Sequence, residues 1–260
     1  MWSNPRRMRL FCGVDSLRTC NCMDITIAGR FCGPSRSGNG GYSSGRLAAY
    51  IDGPAEITLR APPPLDTALR VEREGDGVRL WHGEQLVAEG RPTELELELP
   101  VPPSWDEARE SATRYRGIQH HDYPDCFVCG PNRKPGDGLC IQCGLWRDSV
   151  VAGIWVPDAS LDDGRGRVRP EFLWAAIDCP GSWSFIGQPQ AGSALPPPGS
   201  SILLGRLAGR VLRELRIGQE CVVTGWPLGH EGRKYHVGSA VYLRDGTPIA
   251  YSRGTWIALK

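Results

Sequence analysis

Long hydrophobic runs and an excess of one charge are both missing from this sequence of 260 residues. No segment approaches the roughly 20 consecutive apolar residues of a membrane-spanning helix, so we expect no membrane partner. The 30 basic residues nearly cancel the 29 acidic ones, and no basic stripe is interleaved with aromatic residues, which argues against a nucleic-acid partner. The opening segment, Met1–Arg7, is basic, but no apolar signal-peptide core follows it, so we expect a cytoplasmic protein.

Cysteine, by contrast, is abundant. Six of the ten cysteines stand in close pairs, Cys20/Cys22, Cys126/Cys129 and Cys140/Cys143. Without a secretory signal, such pairs favour metal or redox chemistry over a disulfide framework. The last two pairs have the ligand count and spacing of a four-thiolate zinc site, although a reduced, partly buried thiol cluster explains them equally well. His120 and His121 lie nearby, but their position is more typical of exposed linker residues than of ligands.

A glycine-rich turn, Gly38–Tyr42, runs directly into a segment with helical spacing, Ser43–Tyr50. A turn that feeds a helix N-terminus leaves several backbone N–H groups unpaired, and these donors suit an anion or a polarised carbonyl group. Two adjacent glycines also let a ligand approach the backbone closely. The alternative is a turn that only connects two elements, and the spacing alone favours that alternative.

Short alternating segments bounded by Gly, Asp or Pro predict antiparallel strands in two regions of the chain. The second region also contains an apolar segment, Val168–Cys179, that predicts a helix ended by Pro180. The hairpin spacing Val-x-Leu-x-x-Gly begins at Val78 and again at Val241, which is modest evidence for a duplication. We therefore divide the chain into a disordered tail (1–22), a first unit (23–100), a linker with a cysteine-rich knuckle (101–144) and a second unit (145–260).

Three blocks of residues carry a family resemblance. They are Phe31-Cys32-Gly33-Pro34 with the turn Gly38–Tyr42, then Cys126–Pro131, then Pro170–Gly181. Together they resemble bacterial thioesterase-like proteins with two hotdog domains, over roughly Met23 to the C-terminus. The resemblance implies an α+β fold, a tandem double hotdog, in which each helix is wrapped by an antiparallel sheet and the two units form a pseudo-dimer.

The resemblance also implies a site for acyl thioesters of coenzyme A or of acyl carrier protein. In such a site Asn39, Gly40 and Gly41 form the turn that polarises the thioester carbonyl, and the carboxylate of Asp178 activates water. Some hotdog thioesterases have histidine where this chain has Asn39, so we expect its amide to orient a water or a carbonyl group and not to act as a base. The alternative for Asp178 is a structural residue at the solvent end of its helix.

Three further residues are candidate substrate contacts. Tyr42 follows the turn, Trp174 would line an acyl tunnel if it is not simply core, and Arg206 would meet the phosphates of coenzyme A. We expect an acyl-thioester hydrolase that needs no cofactor for catalysis, with a structural zinc and a homo-oligomer as open questions. The alternatives are a non-catalytic acyl-CoA or acyl-carrier binding module, and a hydratase, whose usual Asp/His pair is not evident.

Overall fold

The computed structural model describes residues 23–186 and 201–259. The predicted disordered tail, 1–22, therefore lies outside the described residues. Within them, no helix is long and apolar enough to cross a membrane.

Eleven antiparallel strands form one sheet, in the spatial order β1-β3-β4-β5-β2-β8-β11-β10-β9-β7-β6. The strands are β1 (Met23–Thr26), β2 (Ala55–Leu59), β3 (Ala68–Glu74), β4 (Gly77–His82), β5 (Gln85–Pro92), β6 (Gly144–Arg147), β7 (Val150–Trp155), β8 (Ile202–Val211), β9 (Cys221–Glu231), β10 (Lys234–Leu243) and β11 (Pro248–Ala258). The helices are α1 (Gly40–Ala48), α2 (Trp105–Ala112), α3 (Pro170–Ala176) and α4 (Cys179–Trp183). The predicted α+β class is confirmed.

The sheet has two halves that meet where β2 pairs with β8, with Ala55 opposite Gly209 and Thr58 opposite Arg206. The recurring sequence pattern forms a hairpin in each half, β4–β5 and β10–β11, and Gly83 and Gly246 adopt positive φ in the two turns. The expected pair of helix-in-sheet units joined through their sheets is therefore present. The exact boundaries of the two units stay a prediction, because the strands of both halves belong to one continuous sheet.

Helices α1 and α3 pack closely against each other on the inner side of the sheet. A Cβ atom at Gly45 would lie 2.7 Å from the Cα of Glu171, and one at Gly41 would lie 2.6 Å from the carbonyl oxygen of Trp174. Only glycine allows the two backbones to approach this closely. The glycines of the turn and of α1 therefore bring the start of α1 onto the second half of the chain.

The predicted helix over Val168–Cys179 is wrong at its C-terminal end. Helix α3 ends at Ala176, and the helical conformation is interrupted at Asp178, which has φ −92° and ψ −81°. Pro180 does not end a helix but occupies the first turn of α4, where proline is well tolerated because the amides there lack intrahelical partners. The break leaves the Asp178 side chain outside either helix, between their ends.

The alternating Leu and Glu residues of Thr93–Leu99 predict a half-exposed edge strand, but no strand forms there. This segment pairs with no strand, and Leu95 is buried against a second apolar cluster on the other face of the sheet. Tyr251 donates its hydroxyl hydrogen to the carbonyl of Leu95. Alternating Leu and Glu residues indicate an extended segment with one buried side. The sequence pattern is the same whether or not that segment pairs with another strand.

Candidate active site

The carboxylate of Asp178 lies at the contact between the two halves of the chain. Its Oδ2 accepts a hydrogen bond from the backbone N–H of Gly41 at 2.8 Å and another from the Nδ2 of Asn39 at 3.2 Å. The side chain is buried, and its Oδ1 has no hydrogen-bond partner among the described residues. The structure thus brings Asp178 together with the turn residues predicted to act with it, and it removes the solvent-exposed alternative.

Burial is the main influence on this carboxyl group and raises the pKa of Asp178 to about 7. The Gly41 N–H bond opposes that rise because it stabilises the charged form, the nearby Cys126 adds to the rise, and the Asn39 amide opposes it.

Asn39 uses both ends of its amide. It is the N-cap of α1, where its Oδ1 accepts a hydrogen bond from the N–H of Tyr42 at 2.9 Å. Its Nδ2 donates to Asp178 and lies 3.8 Å from the sulfur of Cys126 and 3.7 Å from that of Cys179. Asparagine is required here because a single side chain must accept at one end and donate at the other. The expectation that this amide orients water or a carbonyl group is therefore replaced by a positioning role.

A cavity of about 370 Å³ opens beside Asp178. Its walls come from both halves of the sheet, from the cysteine segment and from α4, and they are mostly apolar. Residues that line it include Asn39, Gly40, Asp178, Leu204 and Trp256. A mostly apolar pocket with a few convergent polar groups is typical of a small-molecule binding site.

Of the two glycine amides predicted to polarise a carbonyl, only one is free to do so. The N–H of Gly41 is already held by Asp178, which corrects its predicted role as an oxyanion donor. The N–H of Gly40 has no acceptor among the described residues, and Gly40 lines the cavity at the N-terminus of α1. The Trp256 Nε1 is a second buried donor without a described partner, on a residue that lines the same cavity.

The predicted substrate contacts Tyr42, Trp174 and Arg206 do not line this cavity. Tyr42 is buried and stacks on Phe31 with ring centroids 4.2 Å apart. Trp174 is core, because its ring fills the space that a Cβ at Gly209 would occupy, at 2.8 Å. The Nε of Arg206 bonds to Thr58 across the β2–β8 junction instead. The aromatic or charged character of a residue does not by itself distinguish one that lines the cavity from one that lies in the core beside it.

The four cysteines predicted as one zinc site are not brought together. Cys126 and Cys129 are joined by Cys179, and these three sulfurs lie within 4.8 Å of one another, all buried. Cys143 points its sulfur at the carbonyl of Val223, and the sulfur of Cys140 contacts its own turn at Gly138. The repeated spacing predicted the wrong ligand set because the second pair lies just before β6, beyond the knuckle formed by the first pair.

The three joined sulfurs influence each other strongly. Hydrogen bonds from the thiols of Cys129 and Cys179, and then from backbone N–H groups, hold the pKa of Cys126 well below its usual range. Hydrogen bonds with Cys126 and Cys129, and then burial, raise the pKa of Cys179, the neighbour of Asp178 in the chain. His121 is half-buried beside this cluster, with its Nε2 3.3 Å from the sulfur of Cys129, and burial lowers its pKa.

Residues Gly41–Gly45 also read Gly-x-Ser-x-Gly, a pattern associated with serine nucleophiles. The serine, Ser43, lies in the first turn of α1 and donates its hydroxyl hydrogen to the carbonyl of Asn39 at 2.8 Å. No histidine in the described part of the chain hydrogen-bonds to it. The motif here is a helix-packing sequence and carries no nucleophile.

No protein-family model matches the sequence, and no curated protein is found as a relative. Solved structures do match the fold. A tesB protein from Mycobacterium avium subspecies paratuberculosis aligns with a TM-score of 0.56 and 10% identity, covering 92% of this chain and 93% of that one. The acyl-CoA thioesterase II TesB2 of Mycobacterium marinum aligns with a TM-score of 0.55 and 10% identity, covering 92% and 93%.

A conserved protein of unknown function with a hot dog fold, from Alicyclobacillus acidocaldarius, aligns with a TM-score of 0.51 and 11% identity, again covering 92% of this chain and 93% of that one. At such identities the likeness shows the fold alone. The chain is a double hotdog, as the family resemblance of its sequence implied.

Proposed function

We propose that this double hotdog protein hydrolyses an acyl thioester in the cavity beside Asp178. The observation that carries the proposal is the Asp178 carboxylate itself. It is buried at the contact of the two halves, one oxygen is fixed by two N–H donors, the other is buried without a described partner, and the residue lines an apolar cavity. Burying a carboxylate in this way is costly, and an ionisable group kept in a cavity at such a cost is typical of a site for chemistry or binding.

The two oxygens of the Asp178 carboxylate have different roles. Oδ2 is held by Gly41 and Asn39, so the carboxylate cannot rotate freely, and Oδ1 is left to position and deprotonate a water molecule. The water attacks the thioester carbonyl, the carbon–sulfur bond breaks, and the proton leaves with the thiol. Negative charge that develops on the carbonyl oxygen is stabilised by the free N–H of Gly40 at the positive end of α1.

The test is the release of free thiol from a panel of acyl-CoA substrates of different chain length. We expect Asp178→Asn to lower turnover by about 10²–10⁴-fold, the usual effect of losing a general base. The matched control is Asp245→Asn, because Asp245 only accepts a hydrogen bond from Thr247 in the exposed β10–β11 turn. Turnover by Asp178→Asn at the wild-type rate would show that this carboxylate is structural and would reject the mechanism.

A second candidate function is a binding module that holds an acyl thioester without cleaving it. It is favoured by the engagement of Gly41, which leaves a single glycine amide for the carbonyl oxygen where the sequence predicted two. The two functions separate in the same experiment. A protein that binds acyl-CoA by calorimetry but releases no thiol from any substrate, in wild type and in Asp178→Asn alike, is a binding module.

The same panel of substrates, extended to thioesters of acyl carrier protein, identifies the carrier of the acyl group. Arg60 is a charged residue at the cavity, but it is paired with Glu89, and the predicted phosphate contact, Arg206, lies elsewhere. Coenzyme A and acyl carrier protein share the phosphopantetheine thioester, so the apolar cavity alone is compatible with both. The predicted cytoplasmic location, where both carriers occur, stays part of the proposal.

A further inference from the structure

We infer that Cys126, Cys129 and Cys179 together bind a zinc ion, in a three-thiolate site whose fourth position faces the cavity. This set differs from the one that the sequence predicts. It joins two segments, since Cys126 and Cys129 lie in one turn of the cysteine segment and Cys179 is the first residue of α4. The inference does not depend on thioester hydrolysis.

The spacing of the sulfurs fits tetrahedral zinc. Zinc–sulfur bonds of about 2.3 Å at tetrahedral angles place two ligand sulfurs about 3.8 Å apart. The sulfurs of Cys126 and Cys179 are 3.8 Å apart, and that of Cys129 completes a group within 4.8 Å. All three are buried, and deprotonating three thiols packed this tightly would be costly without a cation to offset the charge.

Each sulfur also receives N–H donors, the second layer of contacts that orients and stabilises thiolate ligands. The sulfur of Cys126 lies in the short turn that Cys126 and Cys129 bracket. The side-chain nitrogen of Asn39 lies 3.8 Å from that sulfur and 3.7 Å from the sulfur of Cys179. Neutral thiols are weak acceptors and do not require such an arrangement.

His121 belongs to this second layer and not to the ligand set. Its Nδ1 accepts a hydrogen bond from the N–H of Tyr123 at 3.0 Å. The proton of the neutral ring is therefore on Nε2, the nitrogen that lies 3.3 Å from the sulfur of Cys129. The ring donates to the sulfur and does not offer a lone pair to the metal, and it is absent from the group of mutually close ligand atoms.

Zinc here would brace the proposed active site. Binding replaces the protons of the thiols, which pass to solvent, and ties α4 to the cysteine segment. Asp178 directly precedes one ligand, Cys179, and Asn39 contacts both that sulfur and the Asp178 carboxylate. The metal would thus fix the position of the carboxylate through its immediate neighbours.

The test measures metal in the full chain purified under reducing conditions. We expect about one zinc ion per chain by elemental analysis. The metal-free protein should take up Co²⁺ with a thiolate-to-cobalt charge-transfer band, which zinc then abolishes. These measurements use the wild-type chain, so they do not depend on whether a variant folds. Reduced protein that holds no zinc and gives no cobalt band would overturn the inference.

Variants then identify the ligands. Cys126→Ser and Cys179→Ser should lose the metal, whereas Cys143→Ser, a buried cysteine outside the cluster, and Cys140→Ser should keep it. His121→Gln should bind about 10–100-fold more weakly at unchanged stoichiometry, the usual effect of losing a second-layer donor. Loss of the metal in Cys143→Ser, or complete loss in His121→Gln, would reject the proposed ligand set.

Discussion

At the scale of the residue, Asn39 links the parts of the site through a single amide. Its oxygen caps α1, and its nitrogen holds Asp178 and approaches two sulfurs. The N–H donor of the Asn39 side chain is the feature that aspartate, an equally good N-cap residue, lacks. Aspartate caps helices as well as asparagine does, but it offers no N–H and carries a second negative charge.

Asn39→Asp should therefore keep the cap and lower the free energy of unfolding by about 1–3 kcal/mol, the cost of leaving a buried polar group without its partner. Urea denaturation measures this loss. The matched control is Asn132→Asp, because Asn132 also donates to a carboxylate, that of Asp125 at 2.8 Å, but on the surface. We expect its effect to stay within about 0.5 kcal/mol. Equal losses in the two variants would show that the contact with Asp178 is not special.

At the scale of the element, the contact between α1 and α3 depends on the absence of side chains. A Cβ at Gly45 would lie 2.7 Å from the Cα of Glu171 and 2.7 Å from the Cβ of Trp174. The first of these atoms is backbone and cannot turn away, so the helices would have to separate. Such a separation would also move Gly41 from Asp178.

Gly45→Ala should destabilise the protein even though alanine is the better helix former by about 1 kcal/mol. Overpacking against backbone costs about 1–3 kcal/mol, and we expect a net loss in the free energy of unfolding together with reduced turnover. Gly205→Ala is the control for the free energy of unfolding, because its new Cβ would be tight only against the side chain of Ile257, at 3.0 Å, whereas the nearest backbone atom, the carbonyl oxygen of Thr255, would lie at 3.5 Å. A stabilised Gly45→Ala variant would show that the two helices can move apart freely.

At the scale of the whole molecule, the two halves share one sheet and one core. Strands β2 and β8 pair across the junction, and the largest buried cluster includes residues of both halves, such as Ile57 and Val241. A continuous core favours unfolding in a single cooperative step. The proposed site lies across the same junction, so folding of the halves and formation of the site are coupled.

Ile57→Ala, in the centre of β2, should lower the free energy of unfolding by about 2–5 kcal/mol, as is usual for truncating a buried isoleucine. Its tryptophan fluorescence and far-ultraviolet circular dichroism transitions should shift together to lower denaturant concentration. Two separate transitions, with only one of them shifted, would contradict the single cooperative unit. The wild-type chain, followed by both probes, is the reference.

Much of the fold follows from local patterns in the sequence. Alternation over β3, β4 and β5 predicts their existence, and the repeated hairpin spacing predicts the duplicated arrangement. The pairing of Asp178 with the glycine turn followed from the family resemblance and is present in the structure. The break between α3 and α4 was not predicted, because proline in the first turn of a second helix looks in a sequence like the end of a first one.

Local sequence patterns are sufficient for the elements and for the residue types that the site needs, because periodicity, turn glycines and caps act over a few neighbouring positions. Which of those residues meet depends on how the elements pack in three dimensions. Cys126 and Cys179 are 53 positions apart, yet their sulfurs lie 3.8 Å from each other. Gly225 in β9, which has no Cβ, lets the backbone of Pro180 in α4 pack closely against that strand. Cys140 and Cys143 match the spacing of zinc ligands but lie beyond the knuckle. Spacing along the chain limits how far apart two residues can lie, whereas packing determines which way their side chains point.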